Sequence, residues 1–222
     1  MKRLHIEMVH DAVCSWCPLG YYNLTTALQQ YGDDVDARIQ LLPYELYPTL
    51  QSEGEEIVGM LKRQWNWSEA RLRSYQQDLT QRGKEAGIVY DFSKRTHYFN
   101  TFKAHCLLHW AEMFDAHLTL NQHLKQAYFS QGANISDTGV LIGLAEQAGL
   151  DVSEAEAAIR SEEIIAQTKA KQARAKSLSI QSIPAFIFNQ NQLVVCSNSV
   201  EFFTDLIQTL LDEEAPHAIR KH

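Results

Sequence analysis

The strongest constraint on this chain is the order of its first three segments. Leu4 to Val9 alternates, with Leu4, Ile6 and Met8 on one side and His5, Glu7 and Val9 on the other. Period two over six residues predicts a strand. His10-Asp11-Ala12-Val13 connects it to a run from Cys14 to about Gln30. In that run Leu19, Tyr22, Leu24, Ala27 and Leu28 recur at helical spacing, and Gly32 is the stop. Val35 to Leu42 alternates again, Val35, Ala37, Ile39 and Leu41 against Asp36, Arg38 and Gln40, and Pro43 ends it. Strand, helix and strand in this order require a parallel pair joined by a right-handed crossover.

From about Tyr44 to Lys176 the chain changes character and reads as nearly all helix. Ser52-Glu53-Gly54-Glu55 predicts a capping box, and Asn66 and Ser68 can cap a helix running to Gly83 or Gly87. Thr101 to Phe114 is apolar at helical spacing. Ser136 opens a helix closed by Gly149. Ser153-Glu154-Ala155-Glu156 predicts a second capping box before a run to Lys176 of high helix propensity. Ile183 to Phe188 and Leu193 to Cys196, separated by Asn189-Gln190-Asn191-Gln192, predict a hairpin. A last amphipathic helix runs from Val200 to about Leu211, and the tail beyond Asp212 reads as frayed. The expected fold is therefore α/β: β-α-β and β-β-α around a four-stranded mixed sheet, with a large all-helical insertion. The expected divisions are 1–43, 44–176 and 177–222.

Lys and Arg total 20 against 27 Asp and Glu, a formal charge of −7. That balance argues against nonspecific binding to nucleic acid or anionic membranes, which takes a basic surface. No apolar core of a secretory signal follows the first basic residues, because His5, Glu7, His10 and Asp11 interrupt it. No stretch approaches a membrane span, and the terminal HAIRKH matches no prenylation motif. A cytoplasmic chain is expected. Four cysteines are too few for a disulfide-dense scaffold.

Cys14-Ser15-Trp16-Cys17 falls where the first strand becomes a helix. Two cysteines at i and i+3 can close a small disulfide ring, and a helix N-terminus favours a thiolate. Cys14, expected to be the more exposed, would be the attacking sulfur; Cys17 would resolve the mixed disulfide. A zinc site would need a second ligand pair, yet Cys106 and Cys196 stand alone and His5 and His10 lie on the strand. No metal is expected, and a redox dithiol fits a C-x-x-C beside a β-α-β unit. Pro18 either pushes on the Cys14 carbonyl, giving a bend or a looser first turn, or is simply tolerated near a helix start. Asp11 either tunes or relays for a cysteine or caps the loop. Cys106 and Cys196 read as buried small hydrophobes, and Trp65, Trp67 and Trp110 as insert core or cleft lining. By base rate alone the Ile183–Pro184 bond would be trans.

Three pieces together resemble the DsbA-like branch of the thioredoxin superfamily, and more narrowly the FrnE-like and 2-hydroxychromene-2-carboxylate isomerase-like proteins. They are Asp11 to Gly20, Phe99-Asn100-Thr101-Phe102-Lys103-Ala104-His105, and Ser182-Ile183-Pro184-Ala185-Phe186. The resemblance spans nearly the whole chain. It implies a cis Pro184 set against the dithiol, and Ile183 offering backbone groups to an extended peptide. Ser15 and Trp16 join Ile183 and Pro184 as expected substrate contacts. Asp11, Pro18, Asn100 and His105 are expected modulators, with His105 and Asn100 structuring the insert where it faces the cleft. Ser15 and Pro18 depart from the Pro and the aromatic that members often carry there. Isomerase and kappa-class glutathione transferase relatives typically have serine at the position of Cys14, so the intact pair favours disulfide exchange.

The expected function is a thiol-disulfide oxidoreductase. It would act on Cys-containing proteins or peptides, or on small disulfides, with no cofactor beyond its own redox-active disulfide and with glutathione as a candidate co-substrate. A glutathione-dependent isomerase or transferase is the alternative, and a non-catalytic peptide-binding module the second. The expected state is monomer or homodimer.

Overall fold

A computed structural model describes residues 2–213 of the 222-residue chain. Strand β1 (Lys2–His10) leads through a turn into helix α1 (Cys17–Gln29) and strand β2 (Val35–Pro43). β1 and β2 run parallel, with Leu4 opposite Ala37 and Met8 opposite Leu41. Far along the chain, β5 (Ala185–Phe188) and β6 (Gln192–Val195) form the expected hairpin. β5 lies antiparallel to β1, giving one four-stranded mixed sheet in the order β2-β1-β5-β6. Between these halves come a two-residue ladder of β3 (Glu55–Glu56) with β4 (His97–Tyr98), and the helices α2 (Ile57–Trp65), α3 (Glu69–Glu85), α4 (Phe102–Ala111), α5 (His117–Gln131), α6 (Thr138–Gln147), α7 (Val152–Arg160) and α8 (Glu162–Ser177). Helix α9 (Val200–Glu213) ends the described chain. The tail expected to fray lies, from residue 214 on, outside the described residues.

The pleat of β1 divides the core. Leu4, Ile6 and Met8 share a face with Phe186 and Phe188, all of them buried. Phe203 of α9 seals that face, its ring centroid 5.1 Å from Phe186 and 6.4 Å from Phe188. α1 packs beside α9, and the Tyr31 hydroxyl donates to the Thr204 carbonyl at 2.8 Å. On the opposite face α8 lies along β2, and Arg174 pairs with buried Glu7 at 2.5 Å. Helices therefore cover both faces, which a parallel strand pair needs because neither of its sides faces water.

Inside the insert several helix starts differ from the sequence reading, for one recurring reason. A helix opens at whichever side chain reaches the free backbone N–H groups of the first turn. Ser52-Glu53-Gly54-Glu55 does not cap. Gly54 has φ +73°, and a Cβ there would lie 2.3 Å from the Tyr98 carbonyl oxygen, so this segment turns tightly against β4. Glu56 caps α2 instead, accepting from the amides of Val58 at 3.1 Å and Gly59 at 2.6 Å. Asp137 caps α6 in place of Ser136, whose hydroxyl donates to the Ser52 carbonyl. Asp151, not Ser153, caps α7. The long run to Lys176 is split at Ser161, which takes extended backbone and accepts from the Ile164 amide. Ser68 caps α3 as expected.

Candidate active site

The dithiol sits on two consecutive turns. The Cys14 amide donates to the Asp11 carbonyl at 3.2 Å, and the Cys17 amide donates to the Cys14 carbonyl at 3.3 Å. α1 starts at Cys17 and not at Cys14. A helix opening at Cys14 would need the N–H of residue 18 to reach the Cys14 carbonyl, and Pro18 has none. Pro18 instead occupies the first turn, where a missing donor costs nothing and its fixed φ suits the helix. Of the two expectations for Pro18, tolerance near a helix start is the one that fits.

Both thiols are reduced, and both are buried, with 4% of Cys14 and none of Cys17 exposed. Burial first, then the neighbouring Cys14 side chain, pushes the Cys17 thiol well above its ordinary range. Ile183 and Pro184 lie across the pair. The Cys14 Sγ is 3.7 Å from the Ile183 carbonyl oxygen, and the Ile183–Pro184 bond is cis. The Pro184 carbonyl accepts from the Cys196 amide at 2.8 Å. Gly20 lets α1 pass beneath this proline, since a Cβ there would come within 2.8 Å of the Pro184 ring. Ser15 is buried and Trp16 half-buried, the latter edge-on to Tyr75 and under the Arg82 guanidinium.

The insert grips the loop that carries the thiols. Tyr90, from the segment after α3, donates its hydroxyl to the Ser15 carbonyl at 2.7 Å. Arg95, 3% exposed, donates to the Val13 carbonyl at 3.2 Å. Its guanidinium is caged by the rings of Phe92, Tyr98, Tyr128 and Phe129, 5.0 to 5.9 Å away. Such desolvated cation–π contacts are worth about 2 kcal/mol or more in sum.

Asp11 is a loop brace, with its Oδ2 accepting from the Leu46 amide at 2.8 Å. Its Oδ1 lies 3.3 Å from His105 Nε2, within ion-pair range but not aligned as a hydrogen bond. His105 is buried and edge-on to His10, ring centroids 5.3 Å apart. Asn100 accepts from the Phe102 amide and donates to Pro48 and Glu45, so it ties the loop after β2 to the start of α4. The sequence therefore brought together Asp11, Cys14 to Pro18, His105, Ile183 and Pro184, while Asn100 acts one layer out.

The sequence reading missed His10, Tyr75, Tyr90, Arg95 and Lys125. Lys125 lies on α5 between Leu124 and Tyr128, inside a buried stripe. A charge in that stripe was the available signal. Its Nζ stands 4.4 Å from the Tyr21 ring centroid, and the side chain opens on a cavity of about 430 Å³ whose wall includes Pro18, Tyr21 and Gln122. Two readings need correction. Cys196 is exposed at φ +79°, just past the end of β6, where its amide serves Pro184 but its side chain leaves the core. Trp65, the last residue of α2, is 62% exposed, whereas Trp110 is buried and Trp67 packs on Tyr75. Cys106 is buried as expected. Among the described residues no group of three or more His, Cys, Asp or Glu could hold a metal ion, and no helix is long and apolar enough to cross a membrane.

Comparison with known proteins agrees with this architecture. The uncharacterized protein YwbO of Bacillus subtilis is 25% identical over 185 residues, covering 83% of this chain and 86% of that protein. A protein described as a probable DsbA oxidoreductase of Streptomyces coelicolor superposes with a TM-score of 0.89 at 24% identity, covering 96% and 92% of the two chains. The cytosolic disulfide reductase DsbM of Pseudomonas aeruginosa, solved with GSH, gives 0.62 at 15% identity over 94% and 99%. A 2-hydroxychromene-2-carboxylate isomerase gives 0.64 at 14% over 95% and 98%. The model of the DSBA-like thioredoxin domain matches residues 5–208. With the thioredoxin-like sheet, the helical insertion and the dithiol at the head of α1, the chain belongs to the DSBA-like thioredoxin domain family.

Proposed function

We propose that the protein is a thiol-disulfide oxidoreductase in which Cys14 attacks, or is attacked by, a partner's sulfur and Cys17 resolves the mixed disulfide. The observation that carries this reading is the Cys14 sulfur lying 3.7 Å from the Ile183 carbonyl beside Pro184, with Cys17 one turn below. An extended peptide laid along Ile183 would pair with its backbone by strand addition and bring a cysteine to Cys14. Burial of Cys17 disfavours its free thiolate, so the pair favours the neutral thiol or the closed disulfide over a charged sulfur at that position. The substrates are Cys-containing proteins or peptides, or glutathione as a small thiol partner, which is the company DsbM keeps in its crystal. No cofactor beyond the dithiol is required, and the cytoplasm is the proposed setting.

Thiol-coupled reduction of insulin by the wild type and by Cys14→Ala tests the proposal. The variant should lose turnover, and equal rates would overturn it. A second reading, a glutathione-dependent isomerase or transferase, draws support from the shared fold of the isomerase. Glutathione-dependent turnover that survives in Cys14→Ser would favour it.

A further inference from the structure

The cavity of about 430 Å³ beside Pro18 takes part in no step of the exchange chemistry above. Among the described residues neither Cys14 nor Cys17 lines it, and neither does Ile183 or Pro184. It lies between α1, which contributes Pro18, Tyr21 and Tyr22, and α5, which contributes Lys125; Ile88 and Val89 close a third side. Its volume falls in the range of small-molecule pockets. Val89 is 63% exposed, so the mouth opens to solvent.

The buried wall carries a charge that the fold leaves unanswered. On α5, His117, Asn121 and Lys125 follow one another at i, i+4 and i+8, a polar seam along a helix face that is otherwise apolar. Lys125, the member that lines the cavity, is only 9% exposed. Its Nζ stands 4.4 Å from the centroid of the Tyr21 ring, and that ring lines the same cavity. Among the described residues no carboxylate and no hydrogen-bond acceptor meets the ammonium. Buried charges are ordinarily paired. Burial brings the pKa of this lysine down to about 8, as expected of an ammonium short of counter-charge.

The rest of the wall defines the partner that fits. Among the described residues it holds no second cation and no carboxylate, so one negative charge is matched there and a second would go unpaired. The Thr25 hydroxyl donates to the Tyr21 and Tyr22 carbonyls, and the Ser130 hydroxyl to the Val89 carbonyl, so neither has a proton left to offer a phosphate. Pro18, Tyr21, Tyr22, Ile88 and Val89 give apolar and aromatic surface, which suits a flat hydrocarbon body. We propose that this cavity binds a small monocarboxylate with an aromatic body, its carboxylate paired with Lys125 and its ring against Tyr21 and Tyr22. The carboxylate meets the side of the ammonium that Tyr21 leaves free. Occupancy asks nothing of either cysteine, so the site does not depend on the oxidoreductase reading.

Calorimetric titration of the full-length chain at neutral pH with 2-naphthoate, 2-naphthol and 2-naphthyl phosphate tests the assignment. The three probes share one ring system and differ in charge: a single negative charge, none, and close to two. The wild type should bind 2-naphthoate saturably and at least about tenfold more tightly than either of the others, the scale of a hydrogen bond to a charged group. Lys125→Met should erase that preference, weakening 2-naphthoate by about tenfold or more and leaving 2-naphthol within about threefold. Gln126→Trp, at an exposed position on the rim, should block 2-naphthoate while its circular dichroism stays that of the wild type. 2-Naphthoate should also raise the Tm of the wild type with concentration and leave that of Lys125→Met where it was. No saturable binding to the wild type, equal affinity in Lys125→Met, tighter binding of the phosphate, or unimpeded binding to Gln126→Trp would each overturn the site. None of these readouts involves insulin turnover, so the site and the oxidoreductase reading stand or fall separately.

Discussion

Replacing Lys125 by Met should make the protein more stable at neutral pH. The ammonium is buried without an anionic partner among the described residues, and burial brings its pKa from 10.5 to about 8. That gap amounts to about 3 kcal/mol by which the charged lysine favours the unfolded chain below pH 8. Between pH 8 and 10.5 the unfolded chain holds the proton and the folded one has shed it, so wild-type stability rises with pH across that window. Methionine has a similar shape and no charge. It forfeits the contact with the Tyr21 ring, worth about 1–2 kcal/mol. The net gain is about 1–2 kcal/mol at pH 7, or a rise in Tm of roughly 2–8 °C for a chain of this size. Urea unfolding of both proteins at pH 7 and near pH 11 measures it. The gain should disappear, or turn into a small loss, at the higher pH. A variant equally destabilised at both values would refute the reasoning, because the lysine would then act through packing and not through its charge.

Other substitutions probe the frame around the site. Tyr90→Phe leaves the buried Ser15 carbonyl without its donor and should cost about 1–3 kcal/mol, whereas Tyr31→Phe, at a wetter bond to Thr204, should cost less; denaturant midpoints compare the two. Phe203→Ala opens the sheet face that Phe186 and Phe188 share and should cost about 3–5 kcal/mol by the same assay. Glu112 is pushed up by burial, but nearby His109, within ion-pair range, and the hydrogen bond from Lys171 outweigh this and hold its carboxyl below the usual range. Its contribution is thus full above about pH 4.5 and is lost as the pH falls through its lower folded value. Glu112→Gln should lower the midpoint at pH 7, with a deficit that shrinks in acid.

The frame was legible because its signals are local. The alternation in Leu4–Val9 and Val35–Leu42, and the apolar run after Pro184, are the two-residue period of strands that become β1, β2 and β5. The cysteine pair was legible from its spacing at the turn that leads into α1. What stayed hidden depends on contacts distant in sequence. Tyr90 and Arg95 sit in an irregular segment with no period, and only the fold carries them to Ser15 and Val13. Helix starts were misplaced by one to four residues because Glu56, Asp137 and Asp151 compete with nearby serines for the same amides. The buried seam on α5 eluded the apolar pattern because His117, Asn121 and Lys125 occupy positions where apolar residues are expected.

The grip of Tyr90 and Arg95 on the cysteine loop bears on how freely this architecture can be recombined. The segment that steadies the sulfurs enters the chain about 75 to 82 residues after the carbonyls it holds. Transplanting the strand, the cysteine loop and the helix into another scaffold would leave those carbonyls without donors and the loop adrift. Trimming the helical portion would do the same from the other side. An engineer borrowing this centre has to move both pieces as a unit.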